Sequence, residues 1–177
     1  PRHRYQQPHS EQTLAEGLSE YYPANVGRIL PPRGLALESA GLFPSHDDPR
    51  TTLVGYLYKP AAAAPKAPAV VLMHGRGGLY STLAKGVYDA KTINSRHKYW
   101  ARYWAERGYY ALLVDGFGPR GYPTGFARGT YKDRPESLNE VTIRPLDAYG
   151  ALKYLRTLPG VAGDRVALMG WSNGGST

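Results

Sequence analysis

The stretch Arg165-Val166-Ala167-Leu168-Met169-Gly170-Trp171-Ser172-Asn173-Gly174-Gly175 runs from a strand-like apolar segment into a serine flanked by glycines. A serine between a strand and a helix must turn sharply to lift its hydroxyl clear of the backbone, which forces strained angles on it. The positions two before and two after the serine then approach closely, so both must be small. Gly170 and Gly174 meet that demand, and Gly175 permits close packing of a following helix on the strand. A bare G-x-S-x-G arises often by chance; one placed directly behind Val166–Met169 is far more specific. Ser172 therefore reads as a nucleophile, with the N–H of Asn173 as one donor to an oxyanion. The competing reading is a serine that only caps a helix.

Toward the N-terminus, Ala69–His74 is a continuous apolar run ending in Gly75-Arg76-Gly77-Gly78, the pattern of a buried strand entering a tight loop. An oxyanion hole needs a second preorganised N–H, and this loop supplies it from Arg76, with Gly77 as the next candidate. A phosphate-binding loop does not fit, because no Gly-Lys-Ser/Thr follows and the glycines miss the G-x-G-x-x-G spacing. His74 precedes the loop and is expected to brace it rather than act as a base. His97 opens an aromatic helix, and Asp115 is expected to cap a glycine-rich turn. His46-Asp47-Asp48, just before Pro49, reads as a turn rather than a metal site.

Further elements follow from periodicity. Thr51–Lys59 alternates as a strand, and Tyr109–Val114 is a second buried-type strand ending at Asp115-Gly116. His97–Arg107 spaces Trp100, Tyr103, Trp104 and Arg107 as a helix does, with Gly108 where a C-terminal glycine belongs. Arg144–Thr157 sets Ala148, Ala151, Leu152 and Leu155 on one helical face, with Pro145 in the permitted first turn. The order strand, strand, helix, strand, helix, strand predicts an α/β fold: a mostly parallel sheet with helices on both faces. Right-handed crossovers put the loops after His74, Val114 and Met169 on one edge, where such folds build their sites. Residues 1–35 are polar and aperiodic, an N-terminal extension with a short helix expected around residues 11–21; residues 36–177 form the α/β unit.

The 177 residues carry 42% hydrophobic and 20% charged side chains, enough for a real core and against wholesale disorder. No apolar run reaches membrane-spanning length, and the absence of cysteine excludes disulfides, thiolate metal sites and a thiol nucleophile. Arginines behind the net charge of +8 are spread through loops, so no nucleic-acid partner is expected. The chain opens on Pro1 rather than Met, which fits a removed export signal or a trimmed chain; the compartment stays open, leaning to export. The loop from Gly116 through Arg134 is long, aromatic and basic, and Phe117, Arg120 and Tyr122 are its candidate pocket residues.

Together, Pro68–Gly78, Trp104–Tyr109, Val114–Gly121, Arg144–Leu152 and Gly170–Gly175 resemble the dienelactone hydrolase family of α/β-hydrolases, over about Thr51 to Thr177. The resemblance implies hydrolysis of a small ester or lactone without metal or organic cofactor. Founding members use a cysteine nucleophile, and Ser172 stands at that position here, which argues against ring-opening of dienelactones themselves. In the family the acid and histidine follow the nucleophile. This chain reaches Thr177 first, so it is expected to lack the C-terminal part of the sheet and both catalytic partners, and to be inactive by itself. An acyltransferase on the same elbow, or a non-catalytic binding module, are the alternatives.

Overall fold

The computed structural model describes residues 39–60 and 64–177; the extension expected over residues 1–35, with its helix, lies outside them. Five strands form one sheet: β1 (Ser39–Pro44), β2 (Thr52–Tyr58), β3 (Ala67–Met73), β4 (Tyr110–Asp115) and β5 (Val161–Gly170). Helix α1 spans Ser95–Glu106 and α2 spans Arg144–Thr157. The spatial order is β1-β2-β4-β3-β5, with β4 and β5 parallel to β3 and with β2 antiparallel to both β1 and β4. Only β2 is reversed, so the expected mostly parallel sheet is present.

Alternation along the strands splits the interior into two cores. Ala69, Val71 and Met73 of β3 join Leu53, Leu112, Val114 and the α2 residues Ala151 and Leu155 on one face. Val70 and Leu72 join Tyr56, Leu113 and the α1 residues Ala101 and Ala105 on the other. The helices therefore cover opposite faces, and β3 and β4 are buried on both, which is why they read as unbroken apolar runs.

Local chemistry sets the helix ends. The Asn94 side chain accepts from Arg96 N at 3.0 Å to start α1, and Gly108, at φ +85°, ends it by donating to Ala105 O. The face of α1 turned to the sheet is His97, Ala101 and Ala105, not the aromatic row, whose large rings stay half-buried. On α2, Gly150 lets the helix lie against Pro44 O, where a Cβ has no room.

Two strands depart from expectation. β1 escapes periodicity because it is an edge strand with only Phe43 buried. β5 begins at Val161 rather than Arg165; Gly163 and Asp164 interrupt its apolar pattern, and its pairing with β3 is irregular between Ala67 and Ala69.

Candidate active site

Parallel β3, β4 and β5 bring His74–Gly78, Asp115–Arg120 and Trp171–Gly175 to one sheet edge. At the end of β5, Trp171 is still extended; Ser172 then takes φ +53°, a left-handed conformation that L-residues seldom adopt, and opens a single 3-10 turn through Gly174. The strain is held from several sides. Trp171 N donates to Met73 O (3.2 Å), Gly174 N to Trp171 O (2.9 Å) and Gly175 N to Ser172 O (2.7 Å). A Cβ on Gly170 would overlap the Gly174 carbonyl, and one on Gly174 would overlap Met73 O and lie 2.6 Å from His74 O. The two glycines are thus required by the close approach that the motif predicts. Ser172 is exposed, and its hydroxyl donates to Asn173 Oδ1 at 3.3 Å.

The glycine loop after β3 lies against this turn: a Cβ on Gly75 would sit 2.8 Å from Trp171 O and 3.2 Å from Ser172 Cβ. Neither Arg76 N–H nor Asn173 N–H donates to another described residue. The peptide before Arg76 is nonetheless fixed, because Gly75 O accepts from Gly78 N (3.1 Å) and from His74 Nδ1 (2.8 Å). The plane of that peptide then aims the Arg76 N–H away from the held carbonyl. Gly77, the other loop candidate, has open space where a Cβ would project.

His74 is fully buried. With Nδ1 donating to Gly75 O, its Nε2 accepts from Gly116 N at 3.3 Å, which fixes a neutral tautomer and ties the loops after β3 and β4 together. Burial first, and the Arg144 guanidinium second, hold it well below the ordinary histidine range. Both ring nitrogens are occupied, so His74 braces the loop. His97 packs its ring against Trp171 (5.2 Å); burial holds it at about 4, against an opposing hydrogen bond to the Gly78 backbone. Asp115 caps the turn after β4 by accepting from Phe117 N (3.1 Å) and Gly118 N (2.8 Å).

The expected pocket residues need correction. Arg120 does not face open solvent: its side chain is 6% exposed and reaches Asp147 Oδ1 at 2.8 Å and Oδ2 at 3.0 Å, Asp47 Oδ2 at 2.6 Å and Gly116 O at 2.7 Å. Two carboxylates and a carbonyl take four of its five donors, leaving little charge for a substrate. Phe117 is completely buried, edge-on to His74 at 4.5 Å. Tyr122 is the one of the three that stays partly open, stacked on Phe126 at 5.4 Å.

Arg144 is a residue that periodicity passed over. Fully buried at the start of α2, it donates from Nη2 to His74 O at 2.7 Å, with its guanidinium 5.0 Å from the Phe117 ring centroid. The signal was present as Arg144 and Asp147, one turn apart on the face that also buries Ala151 and Leu155. Charges at core positions of an apolar face mark a buried ionic network.

The folded sheet, with its serine turn at the end of β5, is that of the α/β-hydrolases. Within that class, the structure superposes on a protein of Klebsiella pneumoniae assigned as a dienelactone hydrolase (TM-score 0.54, 17% identity, 75% of this chain and 49% of that one). It also superposes on a protein named m3DLH (TM-score 0.52, 24% identity, 75% of this chain and 48% of that one). A third similar structure is the acylaminoacyl peptidase of Pyrococcus horikoshii (TM-score 0.51, 25% identity, 76% of this chain and 19% of that one). The chain thus spans about half the length of the first two of these structures. No family model and no curated protein sequence matches it.

Proposed function

We propose that the whole protein is a serine hydrolase that cleaves carboxylic esters or lactones through an acyl-enzyme on Ser172. The observation that carries this is the left-handed, exposed Ser172 lying against the glycine loop, with the N–H groups of Arg76 and Asn173 donating to no described residue. Ser172 Oγ attacks the carbonyl carbon as its proton passes to a base, and the carbonyl oxygen becomes an oxyanion facing the two N–H groups. Collapse expels the alcohol, which takes the proton from the base. Water then adds by the same route and frees the acid and the serine. We assign the base to a histidine outside the described residues: His74 has both ring nitrogens engaged, His97 packs against Trp171, and His46 follows the edge strand β1, four strand positions from β5.

A peptidase reading is favoured by one observation, the 25% identity to an acylaminoacyl peptidase. The same elbow and oxyanion donors serve an amide, which asks more of the general acid at the leaving group.

The test uses the protein as encoded, with p-nitrophenyl esters, a lactone and an acylaminoacyl anilide as substrates and a fluorophosphonate as covalent label. Label on Ser172, and ester turnover that Ser172→Ala abolishes, are expected. A preference for the anilide favours the peptidase, and alcohols outcompeting water reveal a transferase. An unlabelled Ser172 in a folded protein leaves a binding module.

A further inference from the structure

The Arg76 side chain is engaged by the protein itself. Its Nη1 donates to Phe126 O at 2.8 Å, while Phe126 N donates to Arg76 O at 2.8 Å. The two bonds close a ring in which a guanidinium stands in for one strand of a bridge. Fifty residues of chain separate the partners, so this pair fastens the segment after β4 onto the glycine loop.

The segment is itself firm where it grips. Phe126 lies between Tyr122 (5.4 Å), Phe117 (5.7 Å) and Tyr131 (5.6 Å). Tyr131 OH and Arg134 Nε both donate to Glu140 Oε2, at 3.0 and 2.7 Å. Gly125, at φ +63°, lies so close to the loop that a Cβ there would overlap the Gly77 carbonyl carbon. A Cβ on Gly78 would in turn lie 3.2 Å from Pro123 O. At its other end the loop is held by Arg144 through His74 O.

We propose that the Arg76 guanidinium is a positioning group for its own backbone N–H, clamping the loop to Phe126 so that the oxyanion donor is fixed before substrate arrives. The inference rests on the hydrolase reading above. Gly75 O is held by His74 and Gly78, and Arg76 O is held by Phe126, so the carbonyls on both sides of the N–H are pinned. Preorganisation of this kind matters because a donor that must reorient during reaction loses most of its electrostatic value. The arrangement assigns the Arg76 charge to the scaffold and not to recognition of an anionic substrate.

The test compares wild type, Arg76→Met, Arg76→Lys and Gly125→Ala on a neutral ester and on its carboxylate-bearing counterpart, with circular dichroism to confirm folding. Arg76→Met removes the side-chain donors, and Gly125→Ala wedges the segment off the loop without touching Arg76. Both are expected to lower kcat about 10- to 100-fold on either ester, with KM within about twofold. A trifluoromethyl ketone analogue should weaken by the same factor, and Arg76→Lys should recover part of the loss. Unchanged kcat in folded Arg76→Met, or a loss confined to KM for the carboxylate ester, overturns the proposal. Should Arg76→Met not fold, Arg76→Lys and Gly125→Ala decide it by the same criteria. Absence of Ser172-dependent turnover in wild type would instead overturn the hydrolase reading, and this inference with it.

Discussion

Two glycines in the two active-edge loops carry opposite requirements. Gly174 sits where any Cβ would press on the backbone carbonyls of Met73 and His74, and neither can yield without moving β3. Gly77 has nothing within 4 Å of a Cβ and no left-handed φ. Gly174→Ala should therefore cost about 1–3 kcal/mol, the usual range for forced overpacking, and also lower activity by parting the serine turn from the glycine loop. Gly77→Ala should fall within about 0.5 kcal/mol of wild type and leave both N–H donors in place. Urea unfolding of the two variants checks this, and equal midpoints would contradict the close approach. Spacing alone made Gly170, Ser172 and Gly174 legible, because the turn's sterics are written in consecutive residues. What Arg76 and Arg120 bond to was not legible: an arginine's reach is set by partners 27 to 73 residues away. Both side chains are held by the protein itself.

The same limit operates between elements. Asp47 in the loop after β1, Arg120 in the turn after β4 and Asp147 on α2 form one ion cluster, while Arg144, a turn before Asp147, holds the glycine loop through His74 O and makes no hydrogen bond to that cluster. Helix α2 was legible because its apolar residues recur at 3.6-residue spacing; its charged members broke that pattern without disclosing their partners. Breaking a buried pair costs more than the pair contributes, since the remaining charge is left without its counterpart. Asp147→Asn is expected to destabilise by about 3–5 kcal/mol. Arg120→Met introduced into that background should then cost clearly less than Arg120→Met alone, a non-additivity that a double-mutant cycle reads directly. Strict additivity would mean that the two side chains act independently. Asp47 responds in another range: burial alone would push its carboxyl up, but the Thr51 hydroxyl and N–H and the Arg120 guanidinium prevail and hold it at about 2. Its contribution is complete above pH 4 and fades as the pH falls toward 2.

Across the whole molecule, two histidines are kept neutral by the packing that brings the active-edge loops together. His74 lies well below the ordinary value of 6.5 and His97 at about 4, burial being the first cause for both. The unfolded chain takes up protons on both as the pH drops through 6.5, while the folded state does not, so acid draws the equilibrium toward unfolding. Stability is complete above about pH 6.5, and each histidine removes about 1.4 kcal/mol per pH unit below it. For His97 the loss continues until about pH 4, and His74 adds to it over the range below 6.5 in which its buried imidazole stays neutral. Asp115 and Asp147 work in the opposite sense, because burial raises their carboxyls and the folded state then gains protons first. The net fall between pH 6.5 and pH 5 should thus lie below the two-histidine limit, on the order of 4 kcal/mol. His97→Gln removes one titrating site without touching the brace at His74, and should reduce the slope by roughly half at that limit. Urea midpoints measured at half-unit intervals from pH 7.5 to 5 test this. A flat wild-type profile would mean that both imidazoles protonate in place, and His74 could not then hold Gly75 O and Gly116 N together through one neutral ring.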